Sequence, residues 1–90
     1  MDWIVLKTEM FERKFSKLDK SIQKEIEDIK NQLKINPYVG RELKYEFFRE
    51  KKVGKFRIYY LIYKKYVIVY LITVSEKKDQ QKTINTIYYS

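Results

Sequence analysis

Lys52 and Arg57 flank the dipeptide Gly54-Lys55, and a tight turn there would bring the two cations face to face. Glycine at the first central position suits a two-residue type II′ hairpin. Such a turn sets Val53 opposite Phe56, Lys52 opposite Arg57 and Glu50 opposite Tyr59. Like charges placed as cross-strand neighbours repel unless an anion lies between them. A phosphate fits that gap, because arginine offers paired N–H donors and lysine a compact charge. A second arrangement is open on the same geometry: Glu50 or Glu46 neutralises the pair as a surface ion network. A further basic pair, Lys77-Lys78, follows the apolar run "YVIVYLITVS".

The elements that must hold these residues are readable from periodicity. "DWIVL" at residues 2 to 6 suits a short strand. Thr8 is placed as the N-cap of a first helix with Glu9 and Glu12 at its positive end, and Met10, Phe11, Phe15 and Leu18 make one stripe. Ile22, Ile26, Ile29 and Leu33 recur at helical spacing in a second helix that Asn36-Pro37 ends. With only Asp19 and Lys20 between them, the helices form an antiparallel hairpin. The period then changes to two, and strands are expected at about 43 to 53, 56 to 63 and 66 to 74, with Lys64-Lys65 as the second turn. Phe56, Ile58, Tyr60 and Ile62 face the helices, while Arg57 and Lys52 stand on the exposed face. The order βααβββ predicts an α+β fold in which a helical hairpin packs on a mainly antiparallel four-stranded sheet. The tail "SEKKDQQKTINTIYYS" reads as a loop followed by a short helix or a terminal strand.

Ninety residues make one domain, 1–90, and 44% apolar content with fifteen aromatics is ample for its core. Cysteine and histidine are both absent, which removes disulfides, thiolate nucleophiles, the usual zinc ligands and the commonest general base. No metal and no cofactor is expected. The start "MDWIVL" has no basic stretch leading into a signal-type apolar run, and no segment approaches the ~20 apolar residues of a membrane helix. A cytoplasmic protein without a membrane partner is the expectation. Residues 1 to 50 carry 11 Lys/Arg and 10 Asp/Glu, whereas residues 51 to 90 carry 9 and 2, so almost the whole net charge of +8 lies in the C-terminal part. That asymmetry fits a polyanionic partner, either nucleic acid or an acidic protein segment.

Two helices, an "NP" loop, then "KKVGKFRIYY" and a last strand running into "VSEKK" resemble the RelE/ParE toxin superfamily, and its RelE-type members most closely. The most specific piece is Val53, Gly54, Lys55, Phe56, Arg57, Ile58, Tyr59 and Tyr60, which matches the family's "V-G-x-[YF]-R-[IVL]-x-Y" signature. The resemblance implies the toxin of a type II toxin-antitoxin system, a ribosome-dependent mRNA endonuclease, with a RelB-like antitoxin, the ribosome and mRNA as partners. It places Arg57 on the RNA phosphate, Lys52 as the basic residue before "VG", and Lys77 or Lys78 as the basic residue after the final strand. The family's tyrosine about half a dozen residues further on has no match at that spacing, where Lys82 and Thr83 stand, so Tyr88 is the tyrosine left for protonating the leaving oxygen. Arg49, Lys51, Lys55 and Lys82 are expected to add charge for the RNA backbone, and Tyr59 a ring for an unpaired base. RNA brings its own 2′-hydroxyl nucleophile, so positioning, charge stabilisation and two proton transfers suffice. A lysine among cations yields its proton more readily and can act as base, and Glu50 is another candidate. Two further readings keep the fold: a ParE-type inhibitor of DNA gyrase, and a non-catalytic RNA-binding member.

Overall fold

A computed structural model describes residues 2–89. Strand β1 (Ile4–Lys7) leads into helix α1 (Glu9–Ser16), and Asp19 caps helix α2 (Lys20–Ile35). A single 3-10 turn over Pro37–Val39 precedes the two-residue strand β2 (Arg41–Glu42); β3 (Phe48–Val53), β4 (Phe56–Tyr63), β5 (Ile68–Glu76) and helix α3 (Gln80–Tyr88) complete the chain. The sheet order is β1-β5-β4-β3-β2, parallel between β1 and β5 and antiparallel elsewhere. The fold is α+β as expected, and the sheet has five strands instead of four because Arg41 and Glu42 pair with Glu50 and Arg49. None of the described helices is long and apolar enough to cross a membrane.

The helical hairpin forms for the reasons its sequence contains. Thr8 Oγ1 accepts from the Phe11 N–H at 3.0 Å and donates to the Ile72 carbonyl at 2.6 Å, which caps α1 and ties it to β5. Ile26, Ile29 and Leu33 of α2 and Phe11 of α1 are buried on Ile58, Tyr60, Ile62, Val69, Leu71 and Val74. Met10 departs from the expected stripe and is exposed, since it lies round the helix from Phe11.

The β3–β4 turn has the expected register, with Val53 opposite Phe56, Lys52 opposite Arg57 and Glu50 opposite Tyr59. Gly54 takes φ +56°, and Lys55 keeps a negative φ, as glycine in the first central position of the turn allows. The next turn is longer than the expected Lys64-Lys65 pair. It runs as a 3-10 turn over Lys64–Tyr66 into Val67 at φ 55°, so Tyr63 faces Ile68 and β5 is displaced two residues along the chain. Lysine's poor fit to a two-residue turn explains the extra length. Residues 43 to 47 also leave the expected strand and form the turn that joins β2 to β3.

The exposed face expected for Arg57 is largely covered. The tail folds into α3, whose Ile84 is buried against Phe48 and Tyr59, with Leu43, Leu61 and Ile87 around them. Ile84 and Ile87 stand three residues apart on one side of that helix, which supplies the apolar edge it needs to pack. Arg57 is consequently only 8% exposed. The sheet is thus sandwiched between the helical hairpin and α3, and the cationic pair lies where α3 begins.

Candidate phosphate-binding cleft

The hairpin turn orients Arg57 as well as placing it. Its Nη1 donates to the carbonyls of Phe56 at 2.9 Å and Gly54 at 3.3 Å, which holds the guanidinium against the turn and leaves its remaining N–H groups for the cleft. Lys52 stands directly opposite. At the end of β5 the Lys77 N–H donates to the Lys55 carbonyl at 2.7 Å, and this bond draws the chain beside the turn so that Lys77 joins the same cleft. Lys51 alternates to the other face of β3, yet it also lines the cleft, because β2 pairs only with Arg49 and Glu50 and leaves the edge of β3 open beyond them.

Glu50 forms part of the lining and is 5% exposed. Its Oε1 accepts from Arg41 Nε at 2.9 Å and lies 2.8 Å from Arg41 Nη2, while Gln80 Nε2 approaches both carboxylate oxygens, at 2.7 and 2.8 Å. The carboxylate is therefore matched to Arg41 and to the first residue of α3. Among the described residues no acidic side chain forms an ion pair with Lys51, Lys52, Arg57 or Lys77. Five cations and one carboxylate surround an open space of about 420 Å³, a net four positive charges. Such a lining is electrostatically suited to an anion, and its one buried arginine has the donors to grip two oxygens of a phosphate.

No family model matches the chain, and no curated protein does. Solved structures do match it. A free mutant of the E. coli toxin RelE superposes with a TM-score of 0.79 at 14% identity, over 90% of each chain. A chain of the RelBE2 toxin-antitoxin complex from Mycobacterium tuberculosis matches with a TM-score of 0.75 at 22% identity, over 84% of this chain and 99% of that one. The archaeal RelE-RelB complex from Pyrococcus horikoshii gives 0.77 at 13% identity, over 84% and 96%. The chain has the RelE toxin fold.

Within this RelE fold the remaining expected residues are dispersed. Lys55 and Lys78 both approach Glu76, at 3.8 and 3.6 Å, on the outside of the turn. Arg49 lies on the opposite sheet face, where it donates to the carbonyls of Tyr38, Gly40 and Glu46, pairs with Glu42 at 3.6 Å and stacks on the Tyr38 ring. Tyr59 is 0% exposed, so its ring offers no stacking surface. Its hydroxyl shares a hydrogen bond with Ser75 Oγ at 2.9 Å, and burial raises its pKa above the ordinary tyrosine value. Lys82 lines a separate, wider groove between α1 and α3. Tyr88 sits at the far end of α3, its hydroxyl 3.1 Å from that of Tyr45.

Two residues that the RelE fold brings to the cleft, Arg41 and Gln80, escape sequence reasoning. Arg41 belongs to a strand of two residues, too short to show a period. Gln80 was findable through α3: it precedes Ile84 by four residues and Ile87 by seven, the spacing of one helix side.

Proposed function

We propose that the protein is the toxin of a type II toxin-antitoxin pair and acts as a ribosome-dependent mRNA endonuclease. The observation that carries the reading is the group of four cations without carboxylate partners, Lys51, Lys52, Arg57 and Lys77, gathered around one open cleft in a RelE fold. In this reading Arg57 binds two non-bridging oxygens of the scissile phosphate and Lys52 adds a second charge as negative charge grows at phosphorus. The RNA 2′-oxygen attacks phosphorus, the bond from phosphorus to the 5′-oxygen breaks, and the products are a 2′,3′-cyclic phosphate and a 5′-hydroxyl. The 2′ proton passes to Glu50, and Lys77 supplies the proton that the 5′-oxygen takes up. Arg57 and the cleft lysines supply the positive charge, so the scheme calls on no metal.

Likeness to RelE chains solved in toxin-antitoxin complexes supports an antitoxin partner that covers the basic cleft until translation is to be stopped. A second reading, phosphate binding without cutting, is favoured by one observation: the cleft lining contains neither tyrosine nor histidine, and Tyr88 is engaged with Tyr45 instead. Expression of the wild type and of Arg57→Ala in a cell-free translation system, with the mRNA ends mapped by primer extension, separates the two. Loss of translation with new ends inside ribosome-bound message, both abolished by Arg57→Ala, is the expected result. Arrest without new ends supports the non-cutting reading, arrest with blocked gyrase supercoiling supports the ParE type, and an Arg57→Ala protein as active as wild type removes the nuclease assignment.

A further inference from the structure

A second depression opens beside the cleft and shares Arg41 with it. It measures about 310 Å³, lies between the β2–β3 turn and α3, and is lined beyond Arg41 by Glu42, Leu43, Lys44, Gln81 and Ile84, with the Glu42 carboxylate paired to Arg49 at 3.6 Å. Lys44 connects this lining to a group of rings. The Lys44 ammonium lies 4.9 Å from the centre of the Tyr88 ring, Tyr88 stacks on Tyr45 at 5.7 Å, and Tyr45 stacks on Phe47 at 5.0 Å with the planes only 4° apart. Tyr89 meets Tyr88 edge-on at 4.7 Å. Arg41 and Tyr45 are four residues apart, so the route from cleft to rings is at most about 14 Å along the chain.

Fastening α3 to the turn accounts for Tyr45 and Tyr88, whose hydroxyls meet. It does not account for the outer members, since Phe47 is 49% and Tyr89 76% exposed. Flat apolar rings left in solvent beside two cations, Arg41 and Lys44, suit an unpaired nucleic-acid strand, in which phosphates meet the charges and bases stack on the rings. The geometry points to a second RNA subsite: a strand whose phosphate lies on Arg57 continues past Arg41 and Lys44 and stacks an unpaired base on the Phe47–Tyr45 platform. This inference rests on the RNA reading of the cleft. It names residues outside the cleft and assigns them to strand length and base stacking instead of cutting.

The test measures binding of a dinucleotide and an octanucleotide of single-stranded RNA to the purified chain by fluorescence anisotropy at low salt. Wild-type protein should hold the octanucleotide more tightly. The double variant Phe47→Ala/Tyr89→Ala should lose roughly five- to hundredfold on the octanucleotide, the value of a stacked base, and nothing on the dinucleotide. A Phe47→Leu/Tyr89→Leu pair, which keeps apolar bulk without a flat ring, should fail on the octanucleotide in the same way if the alanine pair does not fold. Octanucleotide carrying 5-iodouracil should crosslink to Tyr45, Phe47 or Tyr89 on irradiation.

Ring variants that bind the octanucleotide as well as wild type, with no crosslink at these rings, overturn the platform. If those variants also release a protein antitoxin, the rings are a protein-docking surface. Arg57→Ala decides the cleft separately. Should it bind both oligonucleotides like wild type, the RNA reading of the cleft fails, and the ring variants alone then decide the platform.

Discussion

The guanidinium of Arg57 is oriented by the same turn that sets it opposite Lys52, because its Nη1 donates to carbonyls on either side of Lys55. A single two-residue turn thus specifies both partner and direction for the central cation. That much was legible in the sequence, since Gly54 admits the positive φ and the register follows from turn length. Its burial was not legible, as it depends on a helix whose apolar residues are too few to distinguish it from a strand. Tyr60, on the other face of β4, does comparable work for the loop before β2. Its hydroxyl donates to the Pro37 carbonyl at 2.6 Å and accepts from the Gly40 N–H at 3.1 Å. Burial pushes its pKa up to about 12, with the Gly40 N–H pulling the other way. The folded protein therefore keeps a proton that the unfolded chain loses near pH 10, and stability should fall as pH rises from 10 towards 12. Tyr60→Phe leaves two buried backbone groups unpaired and should cost roughly 1–3 kcal/mol at neutral pH while flattening the alkaline loss, as urea titrations at several pH values would show.

Helix α3 is the element that turns an exposed basic hairpin into a walled cleft. It packs through Ile84 on Phe48 and Tyr59, and its first residue, Gln80, holds Glu50 from the side opposite Arg41. Ile84→Ala should destabilise the protein by about 2–4 kcal/mol, the usual cost of a large-to-small change in a core. Its second signature is local: Tyr59, now without its cover, becomes accessible to solvent quenchers before the helical hairpin unfolds. A chain in which Tyr59 stays protected until global unfolding would show that α3 contributes no separate step. The hairpin helices were readable because sixteen residues of α2 repeat their apolar stripe across four turns. The nine residues of α3 offer two such contacts, and although Lys64-Lys65 suits a two-residue turn poorly, the β-branched Val67 does not announce the left-handed conformation in which the longer β4–β5 turn ends.

At the scale of the whole molecule the charge is partitioned by the fold as it was along the chain. The helical hairpin, in which cations and carboxylates nearly balance, lies on one face of the sheet, and the basic β3–β4 hairpin with the start of α3 lies at the other side, so a polyanion is drawn to one end of a body 31 × 29 × 22 Å in extent. Binding of single-stranded RNA should weaken linearly in log salt, and Lys52→Ala or Lys77→Ala should each lower the slope by about 0.7 if the side chain meets a phosphate. Unchanged slopes would place the phosphates elsewhere. The position of β5 has a separate consequence, for the order of events during synthesis. This strand comes late in the chain yet lies between β1 and β4, and among the described residues β1 finds its sheet partner there, as Ile4 aligns with Ile68. Until residues 68 to 76 have left the ribosome exit tunnel the early helices have half a sheet to rest on. Lys77 and Gln80, which close the cleft, emerge later still. A nascent chain therefore lacks the assembled cleft until the residues that follow β5 have emerged.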